Sequence, residues 1–294
     1  MGARPLRLAT RGSALALVQA RLVAELLGGG EIVEVSSDGE PGDKERFVRG
    51  VERALIDGEA DIGVHSAKDL PAQLPEGLLI AGVPSREDPS DAWIGAGPSL
   101  AGLPDGARVG TASLRRRAQL LALRPDLRVE ELHGNVDTRL RRAADGGFDG
   151  FVLATAGLRR LGRQGEIGFL IDAAEMTPAA GQGALVLEAR RDDEEARAAA
   201  AAVSDGDALT ELTAERAVVR LLGASCSTPV GVSARHREGK IDIDAFAGLP
   251  DGSEWVRDRL SSGAEDPVAV GEELAGRLQA AGAAEILERA EAMA

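Results

Sequence analysis

Two adjacent residues of opposite charge, Lys68 and Asp69, stand just after an apolar run of the sequence. Residues 61–66 have the pattern of a short buried strand, and Pro71 cannot continue a central strand. Ligands of open α/β sheets bind beyond the carboxyl ends of the strands, which is where this turn presents the ammonium and the carboxylate. The alternative is a surface Lys–Asp pair without a function.

A strand–turn–helix unit near the N-terminus is suited to binding an anion. The sequence predicts a strand over residues 6–10, then Arg11, and then a helix over residues 14–27 with Ser13 as its N-cap. Backbone N–H groups at such a helix start attract anions, and Arg11 adds a full positive charge. Because Ser13 would cap the helix whatever the function, it is weak support by itself.

A similar plan recurs three times later in the chain. Strands predicted over residues 108–111, 129–132 and 151–155 each lead into a helix or turn that carries arginine. These arginines are Arg115 and Arg116, which follow the predicted N-cap Ser113, and then Arg139 and Arg160. Guanidinium groups bind carboxylates through paired hydrogen bonds, so arginines that recur at one edge indicate a shared anion site. A solvated charged face is the alternative.

The composition is that of a soluble globular protein of two or three domains, with 294 residues, 44% hydrophobic and 28% charged. The net charge of −14 and the aromatic content of 2% disfavour a nucleic-acid-binding protein. Of the 34 basic residues, 31 are arginine and three are lysine. This bias fits a carboxylate-binding function, but a GC-rich genome would explain it equally. The chain shows neither a signal-peptide core nor an apolar run of membrane-spanning length, so we predict a cytoplasmic protein.

The only cysteine, Cys226, excludes an internal disulfide framework. Most lone cysteines are buried, but this one lies in a loop of small residues after a helix predicted over residues 210–222, where a thiol is accessible. The three histidines are far apart in sequence, so we expect no metal site.

The order of the predicted elements indicates an α/β protein followed by a small α+β unit. A charged break at residues 85–91 and a glycine-rich turn at residues 176–183 are interpreted as two crossings between domains. Strands over residues 230–234, 240–246 and 253–260, with one last helix from about residue 267 to the end, predict an antiparallel sheet with helix cover.

Seven motifs together resemble the porphobilinogen deaminase (hydroxymethylbilane synthase) family, in the order and near the spacing of that family. They are ATRGS at 9–13, VHSAKDLP at 64–71, REDP at 86–89, GTASLRR at 110–116, GNVDTR at 134–139, GQG at 181–183, and the loop around Cys226. The match covers nearly the whole chain.

The resemblance implies two periplasmic-binding-protein-like α/β domains with a central cleft, plus a small C-terminal α+β domain. Domain 1 is expected over residues 1–86 and 184–203, domain 2 over 87–183, and domain 3, with Cys226, over 204–294. The resemblance also implies a monomer whose partner is the small molecule porphobilinogen. We expect neither nucleic acid nor membrane as a partner.

The activity implied by the resemblance is that of a transferase of tetrapyrrole (porphyrin and haem) biosynthesis. Such an enzyme joins four porphobilinogen units head to tail, releases ammonia at each step, and finally releases hydroxymethylbilane by adding water. A dipyrromethane cofactor made from the substrate, and held by a thioether to the cysteine, primes the chain.

The resemblance also implies residue roles. Asp69 matches the catalytic aspartate, which would hold pyrrole N–H groups and stabilise the cation formed as ammonia leaves. The matches to cofactor-binding residues are Cys226 (as the covalent anchor), Lys68, Ser113, Arg115, Arg116 and Arg139. The matches to substrate-binding residues are Arg11, Ser13, Lys44, Phe47, His133 and Arg160.

The sequence departs from the family pattern in four places. His133 stands where arginine is common, and a neutral imidazole would bind carboxylates less well. Glu40 lies near a common loop lysine, Ala112 replaces a frequent serine, and Ala224–Ser225 replaces a commoner Gly–Gly. We expect an active enzyme with altered elongation.

Two other classes of protein compete with this interpretation. A two-lobed anion-binding protein would explain the arginines but would give no purpose to Asp69 or Cys226. A nucleic-acid-binding protein is disfavoured by the net charge and the scarcity of aromatic residues.

Overall fold

The structure, a computed structural model, describes residues 4–36, 46–144, 147–225 and 227–293. These residues form three β-sheets with helices packed against them. The first sheet has the order β2-β1-β3-β10-β4. Its strands are β1 (Arg7–Arg11), β2 (Glu31–Val35), β3 (Ile62–Ser66), β4 (Leu78–Gly82) and β10 (Leu185–Arg190), and its helices are α1 (Ala14–Leu26), α2 (Arg46–Ile56) and α6 (Glu194–Ala202).

The second sheet has the order β7-β6-β8-β5-β9. Its strands are β5 (Asp91–Gly95), β6 (Arg108–Gly110), β7 (Arg128–Glu130), β8 (Gly150–Ala154) and β9 (Phe169–Ile171). Its helices are α3 (Leu114–Leu123), α4 (Val136–Ala144) and α5 (Thr155–Arg160), and a 3₁₀ turn (Gln164–Glu166) follows α5.

The first two sheets share one topology. In each, a central strand is parallel to both neighbours, β1 to β2 and β3, and β6 to β7 and β8. In each, the fourth strand is antiparallel to its neighbours and is contributed across the crossings, since β10 follows β9 in the chain and β5 follows β4. This pairing confirms the predicted two-lobed, periplasmic-binding-protein-like α/β architecture.

The third sheet is antiparallel, in the order β11-β12-β13. Its strands are β11 (Val230–Arg237), β12 (Lys240–Gly248) and β13 (Trp255–Gly263), and its helices are α7 (Gly206–Leu221), α8 (Pro267–Ala280) and α9 (Ala283–Ala292). The predicted α+β unit is therefore confirmed. The expected single last helix is wrong, because Gly282 adopts φ +96° between α8 and α9 and a helix cannot pass through that conformation.

Each sheet has its own buried core. Leu8, Val64 and Leu187 lie in the core of the first sheet. The second sheet is built around Trp93 and Val109, and the third around Val232, Ile243 and Leu274. A further apolar cluster joins Val186 of the first sheet to Leu212 of α7, so apolar packing as well as polar contacts connects the units.

The two crossings between the first two sheets touch each other and the third unit. The backbone N–H of Glu87 donates to Gly183 O at 3.2 Å. Glu215, on α7, is fully buried and accepts from Arg86 at 2.8 Å, from Gly181 N at 2.6 Å and from Ala234 N at 2.7 Å. One carboxylate thus joins both crossings to the third sheet.

Candidate active site

Lys68 and Asp69 lie at the carboxyl end of β3, as the sequence predicts. A single 3₁₀ turn, Ala67–Asp69, follows the strand, and the backbone N–H of Ala67 donates to Ala184 O at 3.0 Å. Asp69 is half-buried and makes no hydrogen bond within the part of the chain that the structure describes. Its carboxylate oxygens are therefore free to accept hydrogen bonds from a ligand.

A recess beside this turn brings Arg11 to Asp69. Its polar lining consists of Arg11, Gln19, His65, Ser66 and Asp69. Arg11 ends β1, which is parallel to β3, so both strands present their carboxyl ends at the same edge. The recess thus combines a guanidinium and a carboxylate.

Ser13 and Ser113 are both N-caps, as the sequence predicts. Ser13 Oγ accepts from Ala16 N at 3.3 Å at the start of α1, and Ser113 Oγ accepts from Arg116 N at 3.5 Å at the start of α3. The Ser113 cap orders the first turn of α3, which carries Arg115 and Arg116, and the Ser13 cap, two residues after Arg11, orders the start of α1. Each hydroxyl keeps its own proton for donation to a ligand.

Arg115 and Arg116 are buried around Asp91, a residue that sequence reasoning did not single out. Arg115 Nη1 donates to Asp91 Oδ2 at 2.8 Å and to Thr177 O at 2.7 Å. Arg116 contacts Asp91 Oδ1 through Nη2 at 2.7 Å and Nε at 3.1 Å. The two arginines are only 4% and 5% exposed, so part of their charge is already neutralised inside the protein.

Lys68 has a lowered pKa. Its Nζ donates to Gln182 Oε1 at 3.3 Å. Burial, followed by the positive charge of Arg116, lowers the pKa of Lys68 from 10.5 to about 8, although Asp69 and Asp91 oppose this change. A ligand carboxylate bound beside Lys68 would favour its ammonium form and offset the cost of burying that charge.

Arg139 and Arg160 are half-buried cations on the same side of the second sheet. Arg139 Nε donates to Gly134 O at 2.8 Å, and burial together with the charge of Arg116 lowers its pKa to about 10. Arg160 Nη2 donates to Gly183 O at 2.7 Å, and burial lowers its pKa as well. Both hydrogen bonds are to neutral backbone carbonyls, and Glu87 offsets part of the Arg160 charge, so both guanidinium groups keep positive charge for a ligand.

His133 lies apart from this buried group. Its ring is 69% exposed, and Nε2 lies 2.8 Å from Glu131 Oε2. A carboxylate neighbour on an exposed loop makes His133 a weaker anion ligand than the arginines around Asp91.

The side chains of three expected site residues, Lys44, Phe47 and Cys226, are not described. Lys44 and Cys226 lie outside the described residues, and so does Glu40. Phe47 belongs to α2, but its side chain is not among those described. Among the described residues there is no group of histidine, aspartate and glutamate side chains arranged to hold a metal ion.

The group around Asp69 suits a ligand with several carboxylates. Four cations, Lys68, Arg115, Arg116 and Arg139, interact with one another, while Asp69 and Asp91 supply the nearby negative charge. Among these described groups, four positive charges face two negative ones, so the positive charge is only partly compensated. The residues present therefore fit a polycarboxylate such as a dipyrromethane that bears acetate and propionate groups.

Sequence reasoning missed three residues of this region. Asp91 stands at the start of a strand, where nothing in its neighbours indicates burial. Gln182 lies between two glycines, and a long amide in such a tight turn is a signal that could have been used. The third is His65, whose Nε2 lies 2.9 Å from Oε2 of the fully buried Glu188.

Comparison with protein families identifies the family of this chain. Residues 6–198 match the family model described as "Porphobilinogen deaminase, dipyromethane cofactor binding domain", and residues 209–280 match "Porphobilinogen deaminase, C-terminal domain". The chain belongs to the porphobilinogen deaminase family.

Curated porphobilinogen deaminases match this chain over nearly their full length. The porphobilinogen deaminase of Campylobacter concisus is 41% identical over 99% of this chain and 100% of its own. That of Syntrophus aciditrophicus is 42% identical over 97% and 99% of the two chains, and that of Thermus thermophilus is 43% identical over 95% and 96%.

The solved structures that match this chain are more distant in sequence. A TRAP periplasmic solute binding protein from Roseobacter denitrificans, with bound β-D-glucuronate, is 13% identical and has a TM-score of 0.42 over 75% of this chain and 86% of its own. The BvgS periplasmic VFT2 domain of Bordetella pertussis is 17% identical, with a TM-score of 0.41 over 70% and 90%.

Family membership confirms the activity expected from the motifs. The chain is a transferase of tetrapyrrole biosynthesis that joins porphobilinogen units head to tail with release of ammonia and releases hydroxymethylbilane. Its larger matched region is a dipyrromethane cofactor binding domain, and this cofactor supplies the pyrrole end to which the first substrate unit is joined. The described residues include no helix with the length and apolarity that crossing a bilayer requires.

Proposed function

We propose that Asp69 is the catalytic carboxylate and that the cations around it bind the carboxylates of cofactor and substrate. The observation that carries this proposal is the arrangement of four buried or half-buried cations, Lys68, Arg115, Arg116 and Arg139, with only the two carboxylates of Asp69 and Asp91 beside them among the described residues. A site that binds several carboxylates and leaves one of its own free fits a substrate with acidic side chains and a basic leaving group.

The proposed roles follow the position of each residue. Cofactor carboxylates are bound by Lys68, Ser113, Arg115, Arg116 and Arg139, and Cys226 holds the cofactor by a thioether. Porphobilinogen is bound by Arg11, Ser13, Lys44, Phe47, His133 and Arg160. Lys44, Phe47 and Cys226 enter by resemblance alone. The exposure of His133 and its contact with Glu131 give it the smallest share in binding.

Asp69 is suited to two tasks. Its carboxylate is free of hydrogen bonds within the described part of the chain, so it can accept N–H groups of a pyrrole. It can also stabilise positive charge on the substrate when ammonia leaves, and take the proton released when two pyrroles are joined.

The proposed domain division follows the sheets. Residues 1–86 and 184–203 hold the first sheet, residues 87–183 the second, and residues 204–294 the third. We propose that the protein acts as a cytoplasmic monomer with porphobilinogen as its substrate and without a nucleic-acid partner. The net charge of −14 supports the last of these statements.

The test compares Asp69→Asn with Asp105→Asn, in which the replaced carboxylate is fully exposed. Intact mass measures how much of each protein carries the dipyrromethane, and porphobilinogen consumption is then expressed per loaded molecule. We expect Asp69→Asn to lose about 10²–10⁴-fold in rate and Asp105→Asn to match the parent protein. A loaded Asp69→Asn protein with the parent rate would contradict the role of Asp69.

Cys226→Ser tests the anchor and the competing anion-binding class. We expect the bare sequence mass, no gain of pyrrole units with porphobilinogen, and no release of ammonia. A parent protein that binds porphobilinogen reversibly without consuming it would instead be an anion-binding protein.

A further inference from the structure

Gln182 lies at the point where the two halves of the cleft meet. Its side chain is 1% exposed. Its Nε2 donates to Pro89 O at 2.7 Å and to Asp91 Oδ1 at 2.9 Å, and its Oε1 accepts from Lys68 Nζ at 3.3 Å. One amide therefore touches the lysine beside Asp69 and the aspartate that holds Arg115 and Arg116.

The partners determine which way the amide points. Pro89 O and Asp91 Oδ1 are both acceptors, so they require the NH₂ end. The Lys68 ammonium is a donor, so it requires the carbonyl oxygen. A neutral side chain that both donates and accepts satisfies this set of partners, whereas an apolar side chain of similar length satisfies none of them.

The backbone around Gln182 is held from several sides. Arg86 Nε donates to Gln182 O at 3.0 Å, and Arg160 Nη2 donates to Gly183 O at 2.7 Å. Gly181 N donates to the buried Glu215 at 2.6 Å. Because the backbone is bound at three consecutive residues, the side chain has a fixed origin from which to reach Lys68 and Asp91.

We propose that Gln182 is a positioning residue for the reaction, which holds the Lys68 ammonium and the Asp91–Arg115–Arg116 group in one arrangement across the cleft. This inference rests on the proposed roles of Lys68 and the two arginines in binding carboxylates. Without the amide, Lys68 loses an acceptor for its ammonium and Asp91 loses a neutral donor. The cations of the first and second sheets are then no longer held at fixed positions relative to each other for binding a ligand.

The charged groups around Lys68 indicate whether loss of the Gln182 amide raises or lowers the pKa of Lys68. Asp69, on the same turn, and Asp91, on β5, favour the ammonium form, whereas Arg116 and Arg115, on α3, disfavour it. The carbonyl dipole of Gln182 adds to the two carboxylates. Removing it moves the balance toward the neutral amine, so the Lys68 ammonium becomes a stronger acid.

The experiment uses the small number of lysines. The chain has only Lys44, Lys68 and Lys240, so a protein labelled with ¹³C at the lysine ε-carbons gives three signals, and Lys68→Arg identifies one of them by its loss. The titration of this signal is compared in the purified holoenzyme, in Gln182→Met, and in Gln119→Met as the matched control.

Gln119 is a suitable control because it is also buried and bonded at both ends. It is 2% exposed, its Nε2 donates to Thr177 O at 2.9 Å, and its Oε1 accepts from Thr177 N at 2.7 Å. It also donates to the backbone oxygen of Arg115 at 3.4 Å, but among the described residues it makes no hydrogen bond to Lys68 or Asp91. General loosening of a buried amide site would therefore affect both variants.

We expect Gln182→Met to lower the midpoint of the Lys68 titration by about half a pH unit or more, and Gln119→Met to leave it in place. We also expect kcat/KM for porphobilinogen to fall about tenfold in Gln182→Met, with partial recovery at lower pH, where Lys68 is again protonated. Gln182→Asn, which is too short to span both partners, should shift the titration in the same direction and serves if Gln182→Met does not fold.

An unchanged Lys68 midpoint in a folded Gln182 variant would overturn the proposal, and so would equal shifts in the Gln182 and Gln119 variants. These outcomes are independent of the proposed function. That function fails if the parent holoenzyme does not consume porphobilinogen or if Lys68→Arg and Asp69→Asn keep the parent rate, whereas the titration reports on Gln182 in either case.

Discussion

Arg116 holds Asp91 through two of its nitrogens, with Nη2 at 2.7 Å and Nε at 3.1 Å from Oδ1. The pair joins the first turn of α3 to the start of β5, and both side chains are almost completely buried. Its Nη1 donates to Val152 O at 2.9 Å, which adds β8 to the same group. The pair therefore builds the second sheet as well as the binding site, and Lys68 and Arg139 supply much of the undercompensated charge.

The first prediction concerns Asp91→Asn. This change leaves Arg115 and Arg116 buried without their carboxylate, so we expect the free energy of unfolding to fall by about 3–5 kcal/mol. The measurement is urea unfolding at pH 7. Glu130→Gln is the control. The side chains of Glu130 and its partner Arg108 are each 45% exposed, so this ion pair should contribute at most about 1 kcal/mol to the free energy of unfolding.

The stabilisation from Asp91 also has a defined pH dependence. Burial alone would raise the pKa of Asp91, but the guanidinium groups of Arg115 and Arg116 hold it well below the usual 3.8. The stabilisation is therefore fully present above about pH 4 and is lost as the pH falls below that value, where the unfolded chain takes up the proton. Equal effects of Asp91→Asn at pH 7 and pH 2.5 would contradict this account.

The second prediction concerns Lys68→Met in the Cys226→Ser protein, which lacks the thiol that holds the cofactor. Because the pKa of Lys68 is lowered to about 8, its charge destabilises the folded state while it is protonated. We expect Lys68→Met to raise the free energy of unfolding by about 1 kcal/mol or more at pH 7.

The sign of this effect sets its pH window. The cost of the charge is fully present below about pH 8 and shrinks as the pH rises from there toward 10.5, the usual value for lysine. The gain from Lys68→Met should therefore be smaller at pH 9.5 than at pH 7. Lys240→Met removes an exposed lysine and should show no such trend. A gain that grows with pH would refute the assignment.

The third prediction concerns Gly183→Ala. Gly183 has φ +89°, and a Cβ there would collide with the backbone oxygen of Glu87 in the other crossing. We expect a loss of about 2–5 kcal/mol in unfolding free energy, together with weaker porphobilinogen consumption, because the two crossings are pushed apart. Gly162→Ala, at φ +68° with open space around it, should cost only about 1 kcal/mol. Equal losses of unfolding free energy in the two variants would contradict this expectation, because the collision at position 183 would then add nothing.

The fourth prediction concerns His133→Arg. His133 and Glu131 are 69% and 67% exposed, so the change should alter the unfolding free energy by less than about 0.5 kcal/mol. A permanent charge at the edge of the site should lower KM for porphobilinogen and change the distribution of covalent elongation states seen by intact mass. If every elongation rate stayed the same, the departure at position 133 would have no consequence.

The sequence alone was sufficient for the elements that depend on neighbouring residues. β3 ends before Pro71, Ser13 and Ser113 cap their helices, and parallel strands bring Arg139 and Arg160 to one edge, because each of these features follows from local chemistry. The motifs of the chain likewise sufficed for the family. The last helix was misjudged because Gly282 stands in an apolar-periodic pattern that masks its positive φ.

Tertiary structure decided which charges face each other. Asp91 is 24 residues from Arg115, and Gln182 is 114 residues from Lys68. No local pattern links residues so far apart, because their contact depends on how the antiparallel strands β5 and β10 are inserted into sheets built from other parts of the chain. The sequence alone therefore determined which residues could carry the chemistry, and the packing of the two sheets decided which of them are neutralised inside the protein and which remain to bind carboxylates.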